Sequence, residues 1–159
     1  MRKILCFMVG AVAGAVSGIA GMLKCFENKI IKGEKETYKF RVYYELTRKW
    51  VEAYQIGKSL EALLLAKGYE NVAIYGMGDV GYLLFRELES SKIKVKYGID
   101  KNTIGRGFNL KIVEPSNEME KVDAIIISAV FAFDDIKEML ESMTDCPIVA
   151  LDDLIYELC

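Results

Sequence analysis

The chain reads as an α/β protein: a single parallel sheet in strand order 3-2-1-4-5, preceded by a transmembrane helix and a long amphipathic helix. Three observations predict this. From residue 70 onward, apolar runs of strand length alternate with segments of helical spacing, the pattern of a parallel sheet wound through helical crossovers. A glycine-rich turn, Tyr75-Gly76-Met77-Gly78-Asp79-Val80-Gly81, joins the first of those strands to the helix that follows. Ahead of both, Ile4 to Leu23 contains no charged residue. The expected organisation is an anchor over 1–26, a helical connector over 27–69 and the sheet domain over 70–159.

Roughly 20 apolar residues span a bilayer core, so the run 4–23, bounded by Arg2-Lys3 and Lys24, is expected to form one transmembrane helix in the inner (cytoplasmic) membrane. A cleavable signal peptide is the rival reading, because Ala13-Gly14-Ala15 resembles a small-residue cleavage site; the run is long for that purpose. A lipoprotein signal fits less well, since Lys24 stands where a small residue should precede Cys25. Basic residues crowd the carboxyl side of the span, at Lys24, Lys29, Lys32, Lys35, Lys39 and Arg41. The positive-inside rule then puts the sheet domain in the cytoplasm. Gly10, Gly14 and Gly18 recur every four residues, a stripe that lets helix backbones approach and predicts a homodimer or a membrane partner. The plain alternative is a glycine-containing span that does nothing further.

Glu34 to Lys67 has no proline and one glycine, Gly57. Phe40, Tyr43, Tyr44, Leu46, Trp50, Tyr54, Leu60, Leu63 and Leu64 recur at steps of three and four, which predicts an amphipathic helix, or two helices broken near Gly57. Lys67-Gly68 supplies a basic last turn and a glycine stop. The aromatic stripe is expected to pack on the sheet or against a second copy, with a helix lying on the membrane surface as the alternative. Tyr54 and Lys58 spell the Tyr-x-x-x-Lys pair of short-chain dehydrogenases. They precede the first strand instead of following the glycine turn, so the match reads as coincidence.

Val72-Ala73-Ile74 predicts the first strand and Tyr82 to Leu88 the helix after the turn. Gly76, Gly78 and Gly81 fit G-x-G-x-x-G, where the three glycines serve a tight turn, close approach of backbone to a pyrophosphate, and helix–strand packing. The first backbone N–H groups of the new helix, around Asp79 and Val80, then face phosphate. Ile93 to Asp100 alternates apolar and polar residues over its first half, as a half-buried strand does. Asp100 ends it at the spacing of a ribose-binding acid, followed by Lys101, and an acid there favours NAD over NADP. A polar turn is the simpler reading of Asp100-Lys101-Asn102. Asp79 complements the helix dipole but competes with a bound phosphate.

Further on, Gly105-Arg106-Gly107 reads as a loop and Leu110 to Val113 as a short strand. Val122 to Ala129 is a largely apolar run suited to a central parallel strand. Asp134 to Met143 has helical spacing, Pro147 to Ala150 forms the last strand, and Asp152 is the expected cap of a helix reaching Leu158. In such a sheet, ligands sit beyond the strand carboxyl ends where the order reverses, and the glycine turn, Asp100, Ser128 and Ala129 all end there. Phe131 is open to a role over a nucleotide base, and Phe133 reads as core.

Composition narrows the chemistry. With 21 basic and 23 acidic residues the chain has no nucleic-acid footprint. It contains no histidine, the commonest general base and metal ligand. Its cysteines, Cys6, Cys25, Cys146 and Cys159, are scattered, with neither metal-ligand spacing nor a disulfide framework, and Cys146 and Cys159 are expected to be reduced.

Gly68-Tyr69, Val72 to Gly78, Tyr97 to Asn102, Val122 to Ile126 and Cys146-Pro147-Ile148 together resemble a family of small Rossmann modules of bacterial surface-polysaccharide loci, often labelled nucleoside-diphosphate-sugar epimerase-like or NAD(P)-binding. The pattern, over about 57–158, is also similar to the amino-terminal domain of bacterial sugar acyltransferases, which binds a nucleotide-sugar. Those usually carry a histidine in the glycine turn, where this chain has Asp79-Val80, and a hexapeptide-repeat catalytic domain. The resemblance implies a Rossmann-like sheet that binds NAD or a nucleotide-sugar, as an accessory or regulatory module. An oxidoreductase or epimerase subunit completed by a partner is the enzymatic alternative, and a membrane scaffold that binds nothing is the third. No acid, base and nucleophile set converges in the sequence, so enzymatic activity of the chain alone is not expected.

Overall fold

The computed structural model describes residues 2–101 and 109–159, with side chains at 22, 24–101 and 109–159. The chain divides into two compact units, Met1–Arg41 and Val42–Cys159. The predicted Gly105-Arg106-Gly107 loop lies outside the described residues.

The first unit belongs to one helix, α1 (Arg2–Gln55), which continues into the second unit. Backbone over 4–23 is therefore helical, as the apolar run predicts. Among the described residues, however, no helix is long and apolar enough to cross a membrane, so the transmembrane part of the expected architecture is not carried by the structure. From Lys24 on, where side chains are described, charges recur at Glu27, Lys29, Lys32 and Glu34 and leave no uncharged run of that length. Apart from Met22, the side chains of the expected span, including the Gly10, Gly14 and Gly18 stripe, lie outside the described residues. Beyond the span, Phe26, Ile30, Ile31, Tyr38 and Phe40 are all more exposed than buried.

In the second unit α1 ends at Gln55, because Gly57 turns the chain at φ +75° and Ser59 opens a new helix, α2 (Leu60–Ala66). The break near Gly57 is the second of the two expected arrangements. Ser59 Oγ accepts from the Ala62 N–H at 3.4 Å. At the other end Gly68, with φ +79°, donates its N–H to the Leu65 carbonyl while Tyr69 donates to that of Leu64. This is the Schellman stop that Lys67-Gly68 predicts.

The remaining elements are β1 (Asn71–Tyr75), α3 (Asp79–Glu89), β2 (Lys94–Ile99), β3 (Ile112–Val113), β4 (Ala124–Ile127), α4 (Phe133–Glu141), β5 (Ile148–Ala150) and α5 (Leu151–Leu158). A 3-10 turn over Val130–Ala132 leads into α4. The sheet has the predicted order, β3-β2-β1-β4-β5, with every pairing parallel. β1 is central, so its residues alternate between two cores. Val72 and Ile74 face α2, α3, α5 and the last turns of α1, through Leu64, Leu84, Leu154 and Leu46. Ala73 and Tyr75 face Leu140 and Ile136 of α4. Burying each such leucine or isoleucine contributes about 1.5–3 kcal/mol. A register shift opposite Val72/Ala73 leaves Lys96 as the extra residue of β2, so Ile93 and Val95 join one core and Tyr97 and Ile99 the other. Tyr97, Gly98 and Ile99 are buried in succession because both faces of the sheet are covered there.

The expected cap at Asp152 needs correction. β5 passes into α5 without a linker, so Ala150 is the N-cap residue, with extended backbone and no side-chain cap bond, and Asp152 falls inside the first turn. Its Oδ1 is buried without a hydrogen-bond partner, and burial, then the charge of Asp153, raises its carboxyl pKa.

Candidate functional site

The site is built where β1 leaves the sheet. The Gly76 N–H donates to the Ile99 carbonyl of β2 at 2.9 Å, and the Ser128 N–H donates to the Tyr75 carbonyl at 2.9 Å. The turn is thus sewn to both neighbouring strands at the point where the order reverses. Gly76 takes φ +88°, a conformation that an L side chain rarely adopts, and a Cβ there would also stand 3.0 Å from Ser128 Oγ.

Ser128 is buried, and its hydroxyl donates to the Gly76 carbonyl. Its side chain therefore supports the turn from beneath. Ala129 sits beside it, its Cβ 3.3 Å from where a Gly76 Cβ would be. Gly81 is the packing glycine, since a Cβ there would lie 2.1 Å from the Gly76 carbonyl oxygen. No side chain fits at that distance, so glycine is what lets α3 approach the strand end. Val80 turns its side chain into the core. Gly78 is different from both. It has φ −75°, and a Cβ added there would meet nothing within 4 Å, so neither strain nor internal packing requires glycine at that position.

Asp100 follows β2 directly and reaches the same turn, its Oδ2 accepting from the Met77 N–H at 2.8 Å. The glycine turn and the acid predicted from spacing are in contact, and Lys101 lies exposed just beyond. The Tyr75 phenol is pushed up by burial and then by the Asp100 charge.

Two contributions went unread in the sequence. Gly98 makes room for Met77, because a Cβ at Gly98 would meet Met77 Cγ at 2.7 Å and Ile112 Cδ1 at 2.7 Å. Its signal is a glycine inside a strand, which marks close approach. The second is Tyr43 of α1. Its ring meets Phe131 edge to face, centroids 5.7 Å apart, and its phenol is pushed up to about 12 by burial and then by the charge of Asp79. Asp79 opens α3 after the N-cap residue Gly78, which has no side chain to cap the helix. Tyr43 and Phe131 therefore stand at the end of α3 that would meet a phosphate. Phe131, left open by the sequence, is partly exposed here, whereas Phe133 packs with Ile136 and Tyr75 in the core as expected.

The turn can offer backbone N–H donors and a helix N-terminus to an anion, and Asp100 can accept from a hydroxyl. Among the described residues, no cluster of acids and cysteines has the makings of a metal site. Tyr54 lies in the last turn of α1 and is 80% exposed, while Lys58 lies in the turn after Gly57, so the Tyr-x-x-x-Lys match does not sit on one helix. No protein-family model matches the chain, and no curated protein matches it either.

Proposed function

We propose that the chain is a membrane-anchored binding module for NAD(H) or a nucleotide-sugar, accessory or regulatory in cell-envelope polysaccharide assembly. The observation that carries the binding reading is the pair formed by Gly78 and Asp100. A glycine that neither backbone strain nor packing explains lies next to an acid already bonded to the turn. Close approach of an outside phosphate accounts for the first, and a ribose hydroxyl for the second. The anchor reading rests on the uncharged run 4–23 and on the basic residues after it, which favour a cytoplasmic sheet domain. The polysaccharide context rests on the family resemblance of residues 57–158 alone.

A second reading, a scaffold with a closed site, has its own support. Tyr43 and Phe131 occupy the approach to α3, and Asp79 adds negative charge where phosphate would bind. Thermal unfolding of the full-length chain with NAD, NADP and UDP-sugars separates the two. The binding reading expects one of these ligands to raise the melting temperature and Gly78→Val to abolish that rise while leaving the unliganded chain folded. No response to any of them leaves the scaffold. Turnover of a ligand by the purified chain would instead favour the enzymatic alternative.

A further inference from the structure

The first unit carries a pattern that a lone helix does not explain. Phe26, Ile30, Gly33, Thr37 and Phe40 follow one another at steps of four, three, four and three, a seven-residue repeat with apolar or small residues at both seam positions. The same steps continue in sequence through Tyr44, Thr47, Val51 and Tyr54. A repeat of 3.5 residues keeps a straight seam only against another helix that winds with it. Yet Phe26, Ile30 and Phe40 are 54%, 59% and 75% exposed. In the second unit, Tyr44, Val51 and Tyr54 are exposed as well, while Leu46 and Ala53 face the core. The aromatic stripe expected to pack on the sheet or against a second copy is thus two stripes, and among the described residues the second of them is exposed.

We propose that α1 pairs along this seam with α1 of a second copy of the chain, forming a two-stranded coiled coil over residues 26–41. Charge selects the occupant. The positions flanking the seam are Glu27, Lys29, Glu34, Glu36, Arg41 and, further on, Arg48. A parallel pair sets Lys29 against Glu34 and Glu36 against Arg41 of the other copy. The segment is thus complementary to a parallel copy of itself, and flanking charges of this kind choose partner and orientation in coiled coils. Among the described residues the next longest helix, α3, has 11 residues, too few to cover a seam of this length.

Sedimentation equilibrium of the full-length chain in detergent tests this. The expected result is a dimer. Ile30→Glu, which puts a charge in the seam, should weaken it by roughly a hundredfold, and Lys35→Glu, on the outer face, should leave it unchanged. Arg41→Glu should weaken it by roughly fivefold, through two repulsive pairs. Rescue of Arg41→Glu by Glu36→Arg supports the pairing of Glu36 with Arg41 of the other copy. A monomeric chain overturns the proposal. So does a dimer that survives Ile30→Glu but is lost in Gly14→Leu, since association would then run through the glycine stripe, and so does failure of Glu36→Arg to rescue Arg41→Glu.

Discussion

The two ends of the sheet are both held by an aspartate, and they use it differently. At the amino end, Asp123 Oδ2 accepts from the backbone N–H groups of Glu70 and Asn71 at 3.0 and 2.6 Å, and from Asn71 Nδ2 at 3.2 Å. All three donors belong to the entry into β1, so the carboxylate ties that entry to the start of β4. At the carboxyl end, Asp100 Oδ2 holds the Met77 N–H of the glycine turn. Beside it lies Gly78, where neither backbone strain nor internal packing calls for glycine. The amino end is satisfied internally and reads as construction. The carboxyl end contains two construction glycines, Gly76 and Gly81, and one left over, Gly78. That contrast, more than the motif, supports a ligand at this edge.

Breaking the construction should have the largest effect. Gly81→Ala drives a methyl group to 2.1 Å from the Gly76 carbonyl oxygen, and backbone, unlike a flexible side chain, has little room to yield. The expected loss is on the order of 3 kcal/mol, seen as an early chemical or thermal unfolding transition. A near-neutral outcome would mean that α3 and the turn are less tightly apposed, and the distinction between the glycines would fail.

Asp123→Ala should come next, lowering the melting temperature at neutral pH by leaving its donors without their acceptor. The bonds from Asn71 backbone and side chain and from the Glu70 backbone hold the Asp123 pKa below its ordinary value of 3.8. A depressed folded-state pKa means stability present above about pH 4 and lost as pH falls through the folded value. The variant should therefore differ most from the parent at neutral pH and converge with it in acid. A constant gap down to the lowest pH would remove Asp123 from the acid response.

Tyr97→Phe acts on the same sheet with a smaller expected effect. The hydroxyl donates to the Glu120 carbonyl at 2.6 Å, a bond of about 1 kcal/mol. Burial, then the charges of Cys146 and Glu120, push the phenol up to about 12, as burial and Asp79 do for Tyr43. A raised folded-state pKa gives stability that is complete below about pH 10 and lost as pH rises toward 12. Alkaline titration of the melting temperature should flatten partly in Tyr97→Phe and in Tyr43→Phe, and further in the double variant.

Much of this was legible in the residues because it depends on local rules. Strand order follows from apolar runs and crossovers, the stop at Gly68 from helix-end chemistry, and the Asp100 contact from a spacing set by one strand–helix–strand unit. Tyr43 was not legible, because steps of three and four fit two faces of α1 equally and only tertiary packing decides which aromatic turns inward. Gly98 carried a signal, a glycine inside a strand, but what approaches it, Met77 and Ile112, is set by tertiary packing. The Asp152 cap failed because helix starts are read from an assumed linker, and β5 leaves none.

The smallest effect on stability, and the sharpest on the comparison, belongs to Gly78→Ala. Its backbone is extended at φ −75° and ψ −161°, open to any residue, and the added methyl meets nothing within 4 Å. Glycine caps a helix better than alanine does, while alanine restricts the unfolded chain more. These oppose, so stability should change by less than about 1 kcal/mol. A methyl at that point nonetheless stands where a pyrophosphate must approach the backbone, and affinity for a responding nucleotide should fall roughly tenfold or more. Calorimetric titration of parent and variant measures the difference directly. An unchanged affinity would leave Gly78 as idle as its surroundings make it look, and the carboxyl end of the sheet would lose its claim to be anything but a second piece of construction.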